Sequence, residues 1–229
     1  MEKITSKIGW CSVTFNSVIG CKQSCSYCYA RRINQRFKFI KNWNIPEWRE
    51  KSFNKKFPQK TQKIFVGSMS EIAHWRPKWI ERVIEKVKQY PQHTFQFLTK
   101  FPDIYLNYSF PKNCWLGITV TGTENYNCYD SGCDDSSIHL AYQKFKISNP
   151  DNLKFISFEP LLDEIIINLE GIDWVIIGFQ TNPFKKIEKK AVVNIIEYTR
   201  ENNIPLFLKN SIYKGYPDLP IIKEFPDGR

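Results

Sequence analysis

Seven short runs of apolar, β-branched and aromatic residues punctuate the chain: Val13–Asn16, Lys63–Val66, Thr94–Leu98, Trp115–Val120, Lys154–Phe158, Asp173–Ile177 and Pro205–Leu208. Their length suits strands. Their nearly continuous apolar character, without strict alternation, suits parallel strands covered on both faces. Between them the period lengthens. Pro77 to Gln89 sets Trp79, Ile80, Val83, Ile84 and Val87 on one helical face, with Glu81–Glu85 and Arg82–Lys86 four apart on the other. Weaker helical patterns cover Ser136–Phe145 and Glu188–Glu201, and a further helix starting at Ser26 carries Tyr29, Ile33 and Phe37.

Strand then helix, repeated, predicts an α/β fold. There is no G-x-G-x-x-G run. Polar residues follow the apolar runs: Gly67-Ser68-Met69-Ser70-Glu71, Thr99-Lys100, Thr119-Val120-Thr121, Glu159-Pro160, Gln180-Thr181 and Lys209-Asn210. In a β/α barrel such ends converge on one rim, where substrates bind. The expected architecture is a partial (β/α)6 TIM-like barrel of parallel strands with outer helices, with material for a seventh strand. An open sheet fits the same runs. Residues 1–229 read as a single domain, with a basic aromatic crossover near 36–63 and a cysteine-containing loop near 121–136.

Composition narrows the class. The 229 residues are 42% hydrophobic and 15% aromatic with only 10 Gly and 13 Pro, which excludes collagen-like and disordered chains. No apolar run is long enough to cross a bilayer, so no membrane partner is expected. No leader-like apolar core precedes Gly9, so the expected compartment is cytoplasmic. Net charge is +10, and Arg36, Lys38, Lys41, Arg49, Lys51, Lys55, Lys56, Lys60 and Lys63 outweigh Glu47 and Glu50 within 36–63. Phe39, Trp43, Trp48, Phe53 and Phe57 are interleaved there. Such a stretch suits a polyanion with stackable bases; the competing reading is a solvated crossover whose aromatics cover the core.

The seven cysteines form an odd set, Cys11, Cys21, Cys25, Cys28, Cys114, Cys128 and Cys133, which argues for metal-binding, catalytic or buried thiols rather than a disulfide framework. Cys21, Cys25 and Cys28 are spaced C-x3-C-x2-C. Three thiolates on one tight loop can hold three irons of a cubane cluster and leave the fourth iron open to a ligand. Zinc would want a fourth protein ligand, and Cys11 is the nearest.

With this spacing, and with Tyr27 immediately before the last cysteine, the sequence resembles the radical S-adenosylmethionine enzymes. The chain as a whole resembles their phage protein Gp37/Gp68-like branch. That likeness rests on Trp10, Asn16-Ser17-Val18-Ile19-Gly20-Cys21, Cys28-Tyr29-Ala30, IFVGSMSEIAH (64–74), PQHTFQFLTKFP (91–102), WLGITV (115–120), ISFEPLL (156–162), IDWVIIG (172–178) and IPLFLKN (204–210). The resemblance implies a 4Fe-4S cluster on Cys21, Cys25 and Cys28. A reduced cluster would cleave S-adenosylmethionine to a 5′-deoxyadenosyl radical that abstracts a substrate hydrogen. It implies an external one-electron reductant such as flavodoxin or ferredoxin. It places Tyr27 by the adenine, Ser68, Ser70 and Glu71 by the methionine ammonium, and Thr119 and Val120 by the ribose. One departure stands out: residues 178–183 read Gly-Phe-Gln-Thr-Asn-Pro where the branch has a Gly-Gly-Glu-Ser-Gly-like run. Phe179 fits such a glycine position poorly if φ must be positive.

Further rim residues carry paired readings. Glu159 offers a carboxylate to a substrate, or caps a helix start. Lys100 and Lys209 suit a phosphate or carboxylate, or are ordinary surface lysines. His74 suits a proton shuttle or substrate contact, or packs. Cys128 and Cys133, with Cys11 or Cys114, suit an auxiliary metal or are free thiols; Cys114 reads as packing. His93 and His139 carry no active-site role. The expected substrate is a nucleic acid or nucleotide. The alternative from another class is a non-enzymatic iron–sulphur or zinc nucleic-acid-binding module.

Overall fold

The structure, a computed structural model, describes residues 8–122, 142–165 and 168–226. It opens with β1 (Val13–Phe15) and β2 (Val18–Ile19), then helix α1 (Tyr29–Phe37), β3 (Glu47–Trp48), the one-turn α2 (Glu50–Phe53), β4 (Lys63–Val66), α3 (Pro77–Lys88) and β5 (Thr94–Thr99). After β6 (Cys114–Thr119) come helical residues 142–147 (α4), β7 (Leu153–Phe158), β8 (Trp174–Ile177), β9 (Gln180–Thr181), β10 (Phe184–Lys185), α5 (Lys189–Glu201), β11 (Leu206–Leu208) and α6 (Asn210–Gly215).

Seven strands make one sheet in the order β1-β4-β5-β6-β7-β8-β11. The β1/β4, β4/β5, β7/β8 and β8/β11 ladders are parallel. The order never doubles back along the chain. That is how a β/α barrel winds, whereas a doubly wound sheet reverses at a switch point. All seven anticipated strands form, each within one residue of its expected ends. β7 and β8 are buried throughout, as their continuous apolar character requires.

Two compact units divide the chain. The first is Met1–Thr99 with Ser109–Trp115, the second Lys100–Tyr108 with Leu116–Arg229. In the first, α3 starts on Pro77, whose fixed φ suits that position, ends on Lys86 and Lys88, and buries Ile80, Val83, Ile84 and Val87. Each such side chain contributes about 1.5–3 kcal/mol through burial. Trp79 departs from that face and stacks on Trp48, ring centres 6.0 Å apart.

The basic crossover splits into two parts. Trp48, Phe53 and Phe57 pack around α3. The Arg82 guanidinium lies over Trp48 and Phe53 (4.6 and 4.5 Å) while donating to both Glu50 oxygens (2.8 and 3.1 Å). Lys86 donates to the carbonyls of Phe53 and Lys55, among the rings of Phe15, Phe53 and Phe57. These aromatics cover the core. The earlier part behaves differently. α1 begins at Tyr29 rather than Ser26, because Cys28 is its cap and accepts the Arg31 amide. It buries Ala30 and Asn34, leaving Tyr29, Ile33 and Phe37 exposed. Asn34 explains the inversion: its side-chain amide both accepts from and donates to the Ile40 backbone (3.0 and 3.1 Å), folding the following residues beneath the helix.

Among the described residues no helix is long and apolar enough to cross a membrane. The first part of the helix expected at 136–145, the loop residues 123–136, and Cys128, Cys133 and His139 lie outside the described residues.

Candidate functional site

In the first unit the cysteine loop is built on a glycine. Gly20 has φ +109°, and a Cβ there would meet Ile40 and the Trp43 carbonyl at 2.9 Å. The chain can therefore press close: the Gly20 amide donates to the Met69 carbonyl (3.0 Å) and the Cys21 amide to the Trp43 carbonyl (2.9 Å). Ile19, Ala30, Ile40, Trp43 and Met69 form a small core against which Cys21 and Cys28 pack. The loop thus docks on the chain just after β4, where Ser68 to Glu71 lie.

All three thiols are half-buried and free. Two already accept backbone N–H groups: Gln23 to Cys21 Sγ and Arg31 to Cys28 Sγ, both at 3.3 Å. The Cys25 carbonyl accepts from the Cys28 amide (3.2 Å), closing the second half of the loop. Burial pushes the Cys21 thiol up to about 12, with the charges of Glu71, Cys28 and Cys25 adding to the effect. Such a thiol ionises when a metal takes the proton's place. Arg31 crosses the loop to the Gln23 carbonyl, and its Nε is buried with no hydrogen-bond partner among the described residues.

Glu71 is buried and begins the 3-10 turn Ile72–His74. Its Oε1 accepts from the Thr99 hydroxyl and from the Ala73 amide (3.3 Å). Ser68 donates to Asn16 Oδ1 (3.1 Å), which also accepts the Met69 amide (3.2 Å), and the Ser68 carbonyl accepts the Tyr29 hydroxyl. Ser70 Oγ accepts from Trp75 Nε1 at 3.0 Å. His74 Nδ1 lies 3.5 Å from Cys21 Sγ and accepts the Lys22 amide at 3.3 Å. Burial, then the Lys22 charge, lowers the pKa of His74, favouring the neutral ring that this acceptor role requires. Tyr27 is half-buried, and its carbonyl accepts from Arg32 at 3.1 Å. Cys21, Cys25, Cys28, Ser68, Ser70, Glu71 and His74 are thereby gathered in one unit. Asn16, Thr99, Tyr29 and Trp75 tie them together and were given no site role from sequence, although Asn16, Tyr29 and Thr99 stand inside the quoted motifs.

The second unit carries the other rim residues. Glu159 and Lys209 form an ion pair, their side chains 27% and 18% exposed. Lys209 therefore pairs with a carboxylate of its own chain. Lys100 sits half-buried directly after β5. Thr119 ends β6, and Val120 is buried, its amide donating to the Ser157 carbonyl at 3.0 Å. Phe179 is buried against Phe184 and Tyr216 (6.4 and 5.9 Å), and its amide donates to Ser211 Oγ at 2.9 Å. It is not among the residues of positive φ, so the glycine geometry anticipated there is not adopted. Gln180 opens the β9/β10 hairpin and bonds the Pro183 carbonyl at 3.0 Å. Cys11 and Cys114 are buried thiols; burial raises the pKa of Cys114.

Among the described residues no three His, Cys, Asp or Glu side chains surround a single point as one metal ion would require. A cubane makes a different demand, one thiolate for each of three irons. The loop offers soft sulphurs, partly buried, and two of them receive backbone N–H groups.

The chain belongs to the family described as protein of unknown function (DUF5131), whose model matches residues 5–214. No curated protein and no solved structure matches it.

Proposed function

We propose that the chain is a radical S-adenosylmethionine enzyme on a partial (β/α)6 barrel. The observation that carries this reading is the loop holding Cys21, Cys25 and Cys28, with backbone N–H groups on two sulphurs and a buried, oriented Glu71 close enough to raise the Cys21 pKa. When bound and reduced, a 4Fe-4S cluster supplies the electron that splits S-adenosylmethionine into methionine and a 5′-deoxyadenosyl radical, which takes a hydrogen atom from the substrate.

The protein's own residues bind and orient. Cys21, Cys25 and Cys28 would hold three irons of the cluster. Glu71, fixed by Thr99 and Ala73, presents an acceptor-only carboxylate to the methionine ammonium, a charge-assisted bond about twice as strong as a neutral one. Ser68 and Ser70, fixed by Asn16 and Trp75, keep their remaining hydrogen-bonding capacity for the same group. Tyr27, Thr119 and Val120 are assigned to the nucleoside, and Glu159 with Lys209 to the substrate. The reductant is an external one-electron donor such as flavodoxin or ferredoxin.

The test is anaerobic reconstitution, iron and sulphide analysis, and incubation with dithionite and S-adenosylmethionine. Near-stoichiometric cubane with 5′-deoxyadenosine formation, both lost in Cys25→Ala, is expected. A cluster that never cleaves the sulfonium would leave the non-enzymatic iron–sulphur module in its place. Tight zinc with no cluster would overturn the reading.

A further inference from the structure

We infer that the exposed face of α1 and the turn after it form a docking platform for single-stranded nucleic acid. A helix normally buries its apolar stripe. Here Ile33, Phe37 and Phe39 are 36%, 57% and 43% exposed, because Asn34 and Ala30 occupy the buried side. Lys38 makes the platform: it takes the left-handed conformation (φ 53°) and donates its amide to the Asn34 carbonyl at 2.7 Å. That reversal brings Phe37 and Phe39 together as a stacked pair, centres 5.8 Å apart and planes 22° from parallel. The Arg36 guanidinium lies 5.1 Å over the Phe37 ring.

Charge selects the occupant. The exposed cations beside the rings are Arg36, Lys38 and Lys41, and no acidic residue lies between Tyr29 and Pro46. An apolar partner would gain little from these cations. An acidic protein would use the charges yet leave two parallel rings without a matching plane. Single-stranded nucleic acid supplies both complements, phosphates for the cations and base faces for the rings, and tolerates any sequence because every base has a π face. Duplex stacks its bases internally and cannot offer them. Trp48, Phe53 and Phe57 take no part, since they are half-buried against α3, whereas Phe37 and Phe39 are exposed.

The platform does not depend on the radical chemistry, and its test reads binding alone. Fluorescence anisotropy of the full chain, with and without reconstituted cluster, uses a labelled thymidine oligonucleotide of about 20 nucleotides, enough to span one platform. The same sequence as duplex, and poly-glutamate, serve as controls. Phe37→Ala with Phe39→Ala is expected to weaken single-strand binding by about tenfold to a hundredfold at unchanged salt slope. Arg36→Gln, Lys38→Gln and Lys41→Gln together are expected to flatten that slope by about 2, at ~0.7 per lost phosphate contact. Phe37→Trp should restore or exceed parental affinity. All these side chains are exposed, and unchanged thermal melting verifies the fold. Binding that ignores the ring substitutions, or poly-glutamate binding as tightly as the oligonucleotide, overturns the proposal. So does binding lost only on neutralising Lys51, Lys55, Lys56 and Lys60.

Discussion

The Glu159 carboxylate and the Lys209 ammonium meet across the end of β8, and Gly178 is what lets them meet. Glu159 follows β7 and Lys209 follows β11, the two strands flanking β8. A Cβ on Gly178 would stand 3.0 Å from Lys209 Cδ and 3.4 Å from Glu159 Cγ and Cδ. The gap left by a missing side chain is filled by a bridge between the neighbouring strand ends.

A double-mutant cycle of Glu159→Gln and Lys209→Met, followed by urea unfolding, is expected to give a coupling of about 1–2 kcal/mol. In the Gly178→Ala background the coupling should fall by half or more. Coupling indistinguishable from zero in the parent would mean the pair adds nothing to stability.

Gly117→Ala should be severe. Its Cβ would lie 2.3 Å from the Phe155 ring on β7, inside the sheet's packed layer. Overpacking there costs about 1–3 kcal/mol or more. Phe155→Leu should recover part of the loss in the double variant, though alone it destabilises. Thermal unfolding of the four proteins decides it.

Much of this architecture is legible in the sequence because buried parallel strands leave one kind of trace, an unbroken apolar run, and seven such runs gave seven strands. Relations between distant residues leave no such trace. Tyr29, Ile33 and Phe37 have the spacing of a core stripe, and only the hydrogen bonds of Asn34 to Ile40 reveal that the opposite face is the buried one. Glu159, Gly178 and Lys209 are each visible as strand-end residues, but their meeting depends on strand order. Phe179 was weighed as a poor glycine substitute, when it fills space beside α6: a Cβ on Gly215 would come within 2.8 Å of its ring. The cysteine loop is the converse case: its three sulphurs show in the spacing, while Asn16 and Thr99, which fix Ser68 and Glu71 beside it, come from separate strand ends.

Phe179→Ala should therefore lose about 3–5 kcal/mol as a cavity substitution. A loss below 1 kcal/mol would show that the hairpin after β8 collapses into the space at little cost.

Lys154 supplies a pH signature. Burial lowers its pKa from the ordinary 10.5 to about 8, partly opposed by Asp173, while the ammonium donates to the carbonyls of Asn149 (2.7 Å) and Asn152 (3.3 Å). Between pH 8 and 10.5 the unfolded chain holds a proton there that the folded chain has released, so folding stability from this group rises with pH across that window. Below it the penalty for burying the charge is present in full. The stability of the parent relative to Lys154→Met should climb from pH 8 toward 10 and be flat from pH 6 to 7.5, read by denaturant titration at about half-unit steps. A flat difference throughout would refute the shift.

In the proposed enzyme Asn16 would act as a positioning residue through Ser68 and Met69, which it bonds at 3.1 and 3.2 Å. Asn16→Ala should cut 5′-deoxyadenosine formation by about 10–100-fold while leaving iron content unchanged, and Asn16→Asp should recover part of it. Loss of iron together with activity would assign Asn16 to folding of the cysteine loop instead.

Lys86 has a consequence of another kind. Its ammonium joins Phe53 and Lys55 through their carbonyls and sits among three rings, so residues 53–57 are fastened to α3 by a cation of their own, while Arg82 holds Trp48 and Glu50. Acetylating that amine would free the Phe53 and Lys55 carbonyls and let the far end of the strap peel from α3, while Arg82 still grips Trp48 and Glu50.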